Sequence, residues 1–131
     1  MPCRYDIPRA GILVCVFEGD YTQEETLANF QQGLDDPRAE GGVDVVIDIT
    51  NSQAVKSPDQ FRRVVQELQR HDRFSGRIAV VARAGDPLRY GLARQFAALT
   101  SLDGVPMEVC ESVSTAQSWL AHQPDDESAP G

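Results

Sequence analysis

The order in which strand-like and helix-like segments follow one another constrains this fold more than any other feature of the chain. Two stretches rich in β-branched and aromatic residues, 3–8 and 11–17, are separated only by Arg9 and Ala10. So short a connection permits only an antiparallel hairpin, because parallel neighbours need a crossover of about a dozen residues or more. Beyond the hairpin the pattern becomes one strand, one helix, repeated. That alternation specifies a parallel sheet with crossover helices.

Each later element carries its own start and stop signals. Thr22 followed by Glu25 is a capping box, and Leu27, Phe30 and Leu34 share one face of a helix over 23–34, ended by Asp35-Asp36-Pro37. Residues 43–49 alternate strictly, with Val43, Val45, Ile47 and Ile49 on one face and Asp44, Val46 and Asp48 on the other. Ser57, Pro58 and Gln60 predict a second capped helix burying Phe61, Val64, Val65 and Leu68, which stops before Ser75-Gly76. A strand over 77–82 follows. Asp86-Pro87 then opens a third helix with Leu88, Leu92, Phe96 and Leu99 as its stripe. A short strand over 106–110 and a helix capped near Ser112, carrying Val113, Ala116, Trp119 and Leu120, close the series.

The expected architecture is α/β: a mostly parallel five-stranded sheet opened by a β-hairpin, with four helices mainly on one face. The strand holding Asp44 and Asp48 is apolar on one side only, whereas a strand covered on both sides reads as a continuous apolar run. Right-handed crossovers on a single side generate strands in sequential order. The face of Asp44, Val46 and Asp48 is thereby expected to meet solvent or a partner, and with Trp119 it is the candidate surface for a homodimer.

With 131 residues, 41% of them hydrophobic, the chain suits one domain over 1–122, followed by an acidic tail over 123–131 expected to be disordered. The formal charge is −8, of which Asp125, Asp126 and Glu127 in the tail contribute three. Such a balance repels nucleic-acid backbones and anionic membrane surfaces. No apolar run approaches the roughly 20 residues of a membrane span, and no signal-peptide core precedes the first strand. Cys3, Cys15 and Cys110 are odd in number and lack metal-ligand spacing, so they read as buried free thiols of a cytoplasmic protein.

Catalytic patterns are scarce. There is no Gly-x-Ser-x-Gly elbow, and both histidines, His71 and His122, read as helix-end residues. No glycine-rich phosphate loop follows a strand, so no nucleotide or other cofactor is expected. Glu18, Asp20, Asp48, Asp86 and Glu111 could gather carboxylates along the strand ends for acid–base chemistry or a hard cation. Each has a plainer role in a cap, a turn or the open face.

In parallel α/β folds a ligand meets the chain where strands end and helices begin. That rim is expected at 18–22, 50–58, 83–87 and 111–112, with Asp48, Thr50, Asn51, Ser52, Lys56, Arg83 and Asp86 as candidate interaction residues. Arg83, Arg89 and Arg94 could share an anion.

The hairpin, the three strand-helix crossovers and the central strand Val45-Val46-Ile47-Asp48-Ile49-Thr50 together resemble the SpoIIAA-like, or STAS-like, family over about residues 4–122. The segment from Asp86 to Leu99 resembles the third helix of that group, and 116–120 its closing helix. The resemblance implies the anti-sigma factor antagonist fold and a non-enzymatic regulatory or protein-protein interaction module. In such proteins a serine at a helix start, in an Asp-Ser-x-Gly element, is phosphorylated by a partner kinase. Ser57 occupies that place, with Lys56 in the acidic position and Asp59 in that of the glycine. Ser57 thus stands as a phosphoacceptor or as a simple N-cap. Two alternatives accompany this reading: a carrier of a small apolar or anionic ligand, with a cavity lined by Phe17, Phe61, Tyr90 and Phe96, and an enzyme using the strand-end carboxylates.

Overall fold

The computed structural model describes residues 2–54 and 56–121. The chain runs β1 (Cys3–Arg9), β2 (Ile12–Gly19), α1 (Gln23–Asp35), a 3-10 turn (Pro37–Ala39), β3 (Val43–Ser52), α2 (Pro58–Arg70), β4 (Phe74–Val81), α3 (Pro87–Leu102), β5 (Met107–Cys110) and α4 (Val113–Ala121). The five strands lie side by side in chain order. β1 is antiparallel to β2, and the remaining pairs are parallel. His122 and the acidic 123–131 segment lie outside the described residues. No described helix is long and apolar enough to cross a membrane.

The caps form as their residues demand. Thr22 and Ser57 each accept from the backbone N–H of the third helical residue, and Glu25 and Gln60 each return a bond to the cap's own N–H. Asp86 and Ser112 accept from Arg89 and Thr115 in the same way.

Two strand ends differ from expectation. β4 begins at Phe74, not at 77, because Val43 pairs with Phe74 while Val45 pairs with Ile78. Ser75, Gly76 and Arg77 are accommodated as a bulge, with Gly76 at φ +110. A Ser-Gly pair that reads as a stop is here a bend within the strand. β3 likewise continues through Thr50 and Asn51 to Ser52, where it regains pairing with Glu18 and Gly19 of β2 after a second irregularity.

α1, α2 and α3 all cover one sheet face. There Leu13, Cys15, Phe17, Val43, Val45, Ile47, Ile78 and Val80 meet Phe30, Leu34, Val64 and Leu68. The three helices each link parallel neighbours, so the right-handed crossover rule places them together. α3 seats itself differently from its leucine pattern. Its buried residues are Ala93, Ala97 and Thr100, whereas Leu88 is 72% and Leu99 52% exposed. Small side chains let the helix backbone approach the sheet and turn Leu88 and Leu99 outward.

The opposite face is not bare. α4 lies across it, and Ala116, Leu120, Val113 and Trp119 pack on Ile12, Val14, Val46, Ala79, Val81 and Cys110. Val46 is fully buried. Asp44 is buried too, accepting from the Arg77 guanidinium at 2.9 Å and from the Arg77 backbone N–H at 3.1 Å. Asp44 and Val46 are therefore not a free partner face, and the dimer surface expected there is occupied by the chain's own last helix. α4 joins no pair of strands, so the crossover rule leaves its side open, and it settles where apolar surface remains.

Candidate functional site

At the carboxyl ends of the parallel strands, between the sheet and α1 to α3, the structure holds a cavity of about 110 Å³. Its floor is Phe17 of β2, Ile47 and Ile49 of β3 and Val80 of β4. Thr26 and Phe30 of α1 and Phe61 and Val64 of α2 form its walls. α3 closes the remaining side with Leu88, Leu92, Ala93 and Phe96. Ala93 faces the sheet with only a methyl group, and this small volume is one reason the space remains open.

Aromatic rings frame the cavity. Phe61 and Phe96 stack at 4.7 Å between centroids, nearly parallel, joining α2 to α3 at its edge. Phe17 packs tilted against Tyr21 at 5.1 Å and Phe30 at 5.5 Å. Of the four rings expected from sequence, Phe17, Phe61 and Phe96 line it, and Tyr90 does not.

Besides Thr26, the lining carries the polar residues Tyr21, Lys56, Asp86 and Arg89. The Tyr21 hydroxyl shares a 2.6 Å hydrogen bond with Ser52 Oγ, and burial pushes its pKa upward. Lys56 Nζ donates to Gln23 Oε1 and lies 5.5 Å from the centre of the Tyr21 ring. Desolvation holds the Lys56 ammonium below its ordinary pKa, against a smaller opposite effect of Cys3. Arg89 Nε meets Asp86 Oδ2 at 3.2 Å, and its Nη1 donates to the Ala54 carbonyl at the same distance.

The expected rim residues thus divide. Lys56 and Asp86 line the cavity, and Ser52 is buried beneath Tyr21. Asp48 is engaged locally within β3, accepting from the Thr50 N–H at 2.9 Å and from the Thr50 hydroxyl. Asn51 accepts from Arg83 at 3.2 Å, at the surface. Ser57 is exposed, with its hydroxyl accepting from the Gln60 N–H at 3.2 Å. The trio Arg83, Arg89 and Arg94 does not line one site: of the three, Arg89 alone contributes to the cavity.

Of the five carboxylates named along the rim, Glu18, Asp48 and Asp86 are engaged separately. Glu18 pairs with Arg4, Asp48 bonds Thr50, and Asp86 bonds Arg89. Among the described residues no group of three or more His, Cys, Asp or Glu could hold a metal ion. Cys3 is half-buried and Cys15 and Cys110 are buried, all as free thiols. Burial raises each thiol pKa, the opposite of what a reactive thiolate requires.

Leu92 and Phe96 of the expected α3 stripe do face inward, and Tyr21 falls within the expected 18–22 rim without having been singled out there. Tyr21 directly precedes the Thr22 cap, a position from which apolar side chains commonly pack back on their helix. That signal was available. No protein-family model matches the chain, and neither a curated protein nor a solved structure matches it.

Proposed function

We propose that this protein is a binding module for a small, mainly apolar molecule, held between the sheet and the first three helices. The observation that carries the reading is the aromatic-lined cavity at the strand ends, where parallel α/β folds place ligands. Cavities of roughly 150 Å³ lined by such side chains stay dry and accept one benzene ring. The volume here, about 110 Å³, is smaller, and suits a short branched chain or a ring that it encloses in part, with polar groups on the lining to orient it.

Titration with phenylpropanol, followed by calorimetry, tests this directly. Saturable one-to-one binding is expected, and Ala93→Leu, which fills the cavity from α3, is expected to weaken it about tenfold. Absence of binding by the wild-type protein to phenylpropanol and to benzene alike overturns the reading.

A STAS-like regulatory module is the second reading. It is supported by the hairpin-led sequential sheet, by the exposed Ser57 at the start of α2, and by Leu88, Leu99 and Leu102 exposed along α3. Exposed leucines of this size on one helix suit a protein partner. Leu99→Glu with Leu102→Glu is expected to abolish retention of that partner from cell extract without altering thermal stability. Equal retention by the doubly substituted protein counts against it.

A further inference from the structure

The charges around the cavity are unevenly compensated. Arg89 is matched by Asp86 at 3.2 Å. Lys56 is half-buried and bonded to the neutral amide oxygen of Gln23, and among the described residues no carboxylate lies within ion-pair distance of it. The lining thus presents two cations against one carboxylate, in a chain whose formal charge is −8.

Half-burying an ammonium without a counter-ion has a desolvation cost, and an anion brought to it recovers part of that cost. The apolar floor selects what the anion must be attached to. A bare inorganic anion would leave Phe17, Phe30 and Phe61 uncovered, and a hydrocarbon alone would leave Lys56 uncompensated.

We infer that the cavity takes a monoanionic amphiphile, an aromatic or short branched carboxylic acid, with its hydrocarbon against Phe17, Phe30 and Phe61 and its carboxylate on Lys56. The inference rests on the cavity reading above and names the ligand class within it. Tyr21 supplies the ring face under the ammonium, and Gln23 accepts a hydrogen bond from Nζ. The titratable and charged groups facing Lys56 are Cys3 and Tyr21 from the hairpin side and Asp86 and Arg89 from α3. The Asp86 charge is spent on Arg89 and leaves the Lys56 side positive.

The experiment compares phenylpropanoate, phenylpropanol and phenylpropylamine on the full chain by calorimetry at low salt. The acid is expected to bind about tenfold or more tighter than the alcohol, and the amine more weakly than either. Lys56→Gln is expected to erase the acid's advantage while keeping the alcohol's affinity, and Lys56→Arg to retain it. With the wild-type protein, raising the pH toward the ordinary lysine value of 10.5 is expected to weaken the acid and leave the alcohol unchanged.

Equal affinity for acid and alcohol, or a preference for the amine, overturns the inference and leaves the cavity reading standing. Binding of none of the three overturns both. Should Lys56→Gln lose the alcohol as well, Lys56→Arg decides: retained preference for the acid supports the counter-ion role, and lost preference refutes it.

Discussion

Arg77 donates to the Asp44 carboxylate at 2.9 Å and to the Leu120 carbonyl at 2.6 Å, so that one guanidinium ties the start of β3 to the end of α4. The same group lies 5.7 Å from the centre of the Trp119 ring. Burial raises the Asp44 pKa, and Arg77 opposes the rise. The pair is thus a buried ion pair whose worth depends on both members being present.

Asp44→Ala is therefore expected to cost about 3 kcal/mol, because it leaves Arg77 buried without this carboxylate. Asp44→Asn, which keeps one acceptor, is expected to cost less. Urea unfolding followed by circular dichroism measures both. A change below about 0.5 kcal/mol in the alanine variant would show that the Asp44–Arg77 pair contributes little to stability.

Two helical glycines should respond oppositely to the same change. A Cβ on Gly33 of α1 would stand 2.7 Å from Leu13 Cδ1 and 2.9 Å from Cδ2, and Leu13 is fully buried. At Gly91 of α3 a Cβ would meet nothing within 4 Å. Gly91→Ala is expected to stabilise by about 0.5–1 kcal/mol through helix propensity. Gly33→Ala is expected to destabilise by roughly 1–3 kcal/mol through overpacking. Thermal unfolding of the two variants side by side checks the signs.

Asp36 accepts from the Arg38 side chain at 3.1 Å, from the Arg38 N–H at 2.8 Å and from the Tyr5 hydroxyl at 2.9 Å. These bonds, those of Arg38 foremost, hold its pKa well below the ordinary 3.8. A depressed carboxylate pKa contributes stability that is complete above the unfolded value and lost as pH falls through the folded one. Asp36→Asn is expected to flatten the acid limb of the stability profile below pH 3.8. An unchanged limb in an acid titration of ellipticity would refute this.

The Ser57 hydroxyl accepts from the Gln60 N–H while the Ser57 N–H donates to Gln60 Oε1, so Ser57→Ala, which removes the first bond, is expected to cost about 1 kcal/mol. Ser57→Asp keeps a capping oxygen and adds charge beside the positive helix end, and is expected to stay near wild type. Chemical denaturation separates the two. Equal stability of Ser57→Ala and wild type would remove capping as the residue's structural role.

The amino-acid sequence by itself determined the elements, their order and most of their caps, because each depends on residues within one helical turn or one strand. Thr22 with Glu25, Ser57 with Gln60, and the alternation from Val43 to Ile49 are local signals, and local hydrogen bonds and side-chain periodicity enforce them. The hairpin and the sequential parallel sheet follow from connection length and crossover handedness, which are also readable in one dimension.

Tertiary structure alone decided which face α4 covers, how α3 is rotated, and where space is left. α4 is unconstrained by any crossover, and its position depends on the apolar surface that four strands leave uncovered. α3 presents Ala93 and Ala97 to the sheet in place of Leu88 and Leu99, since close backbone approach outweighs the larger side chains there. The cavity, and the solitary charge of Lys56 on its wall, arise where residues from β2, β3, β4 and three helices fail to fill a shared volume. A deficit of that kind belongs to no segment, and only packing reveals it.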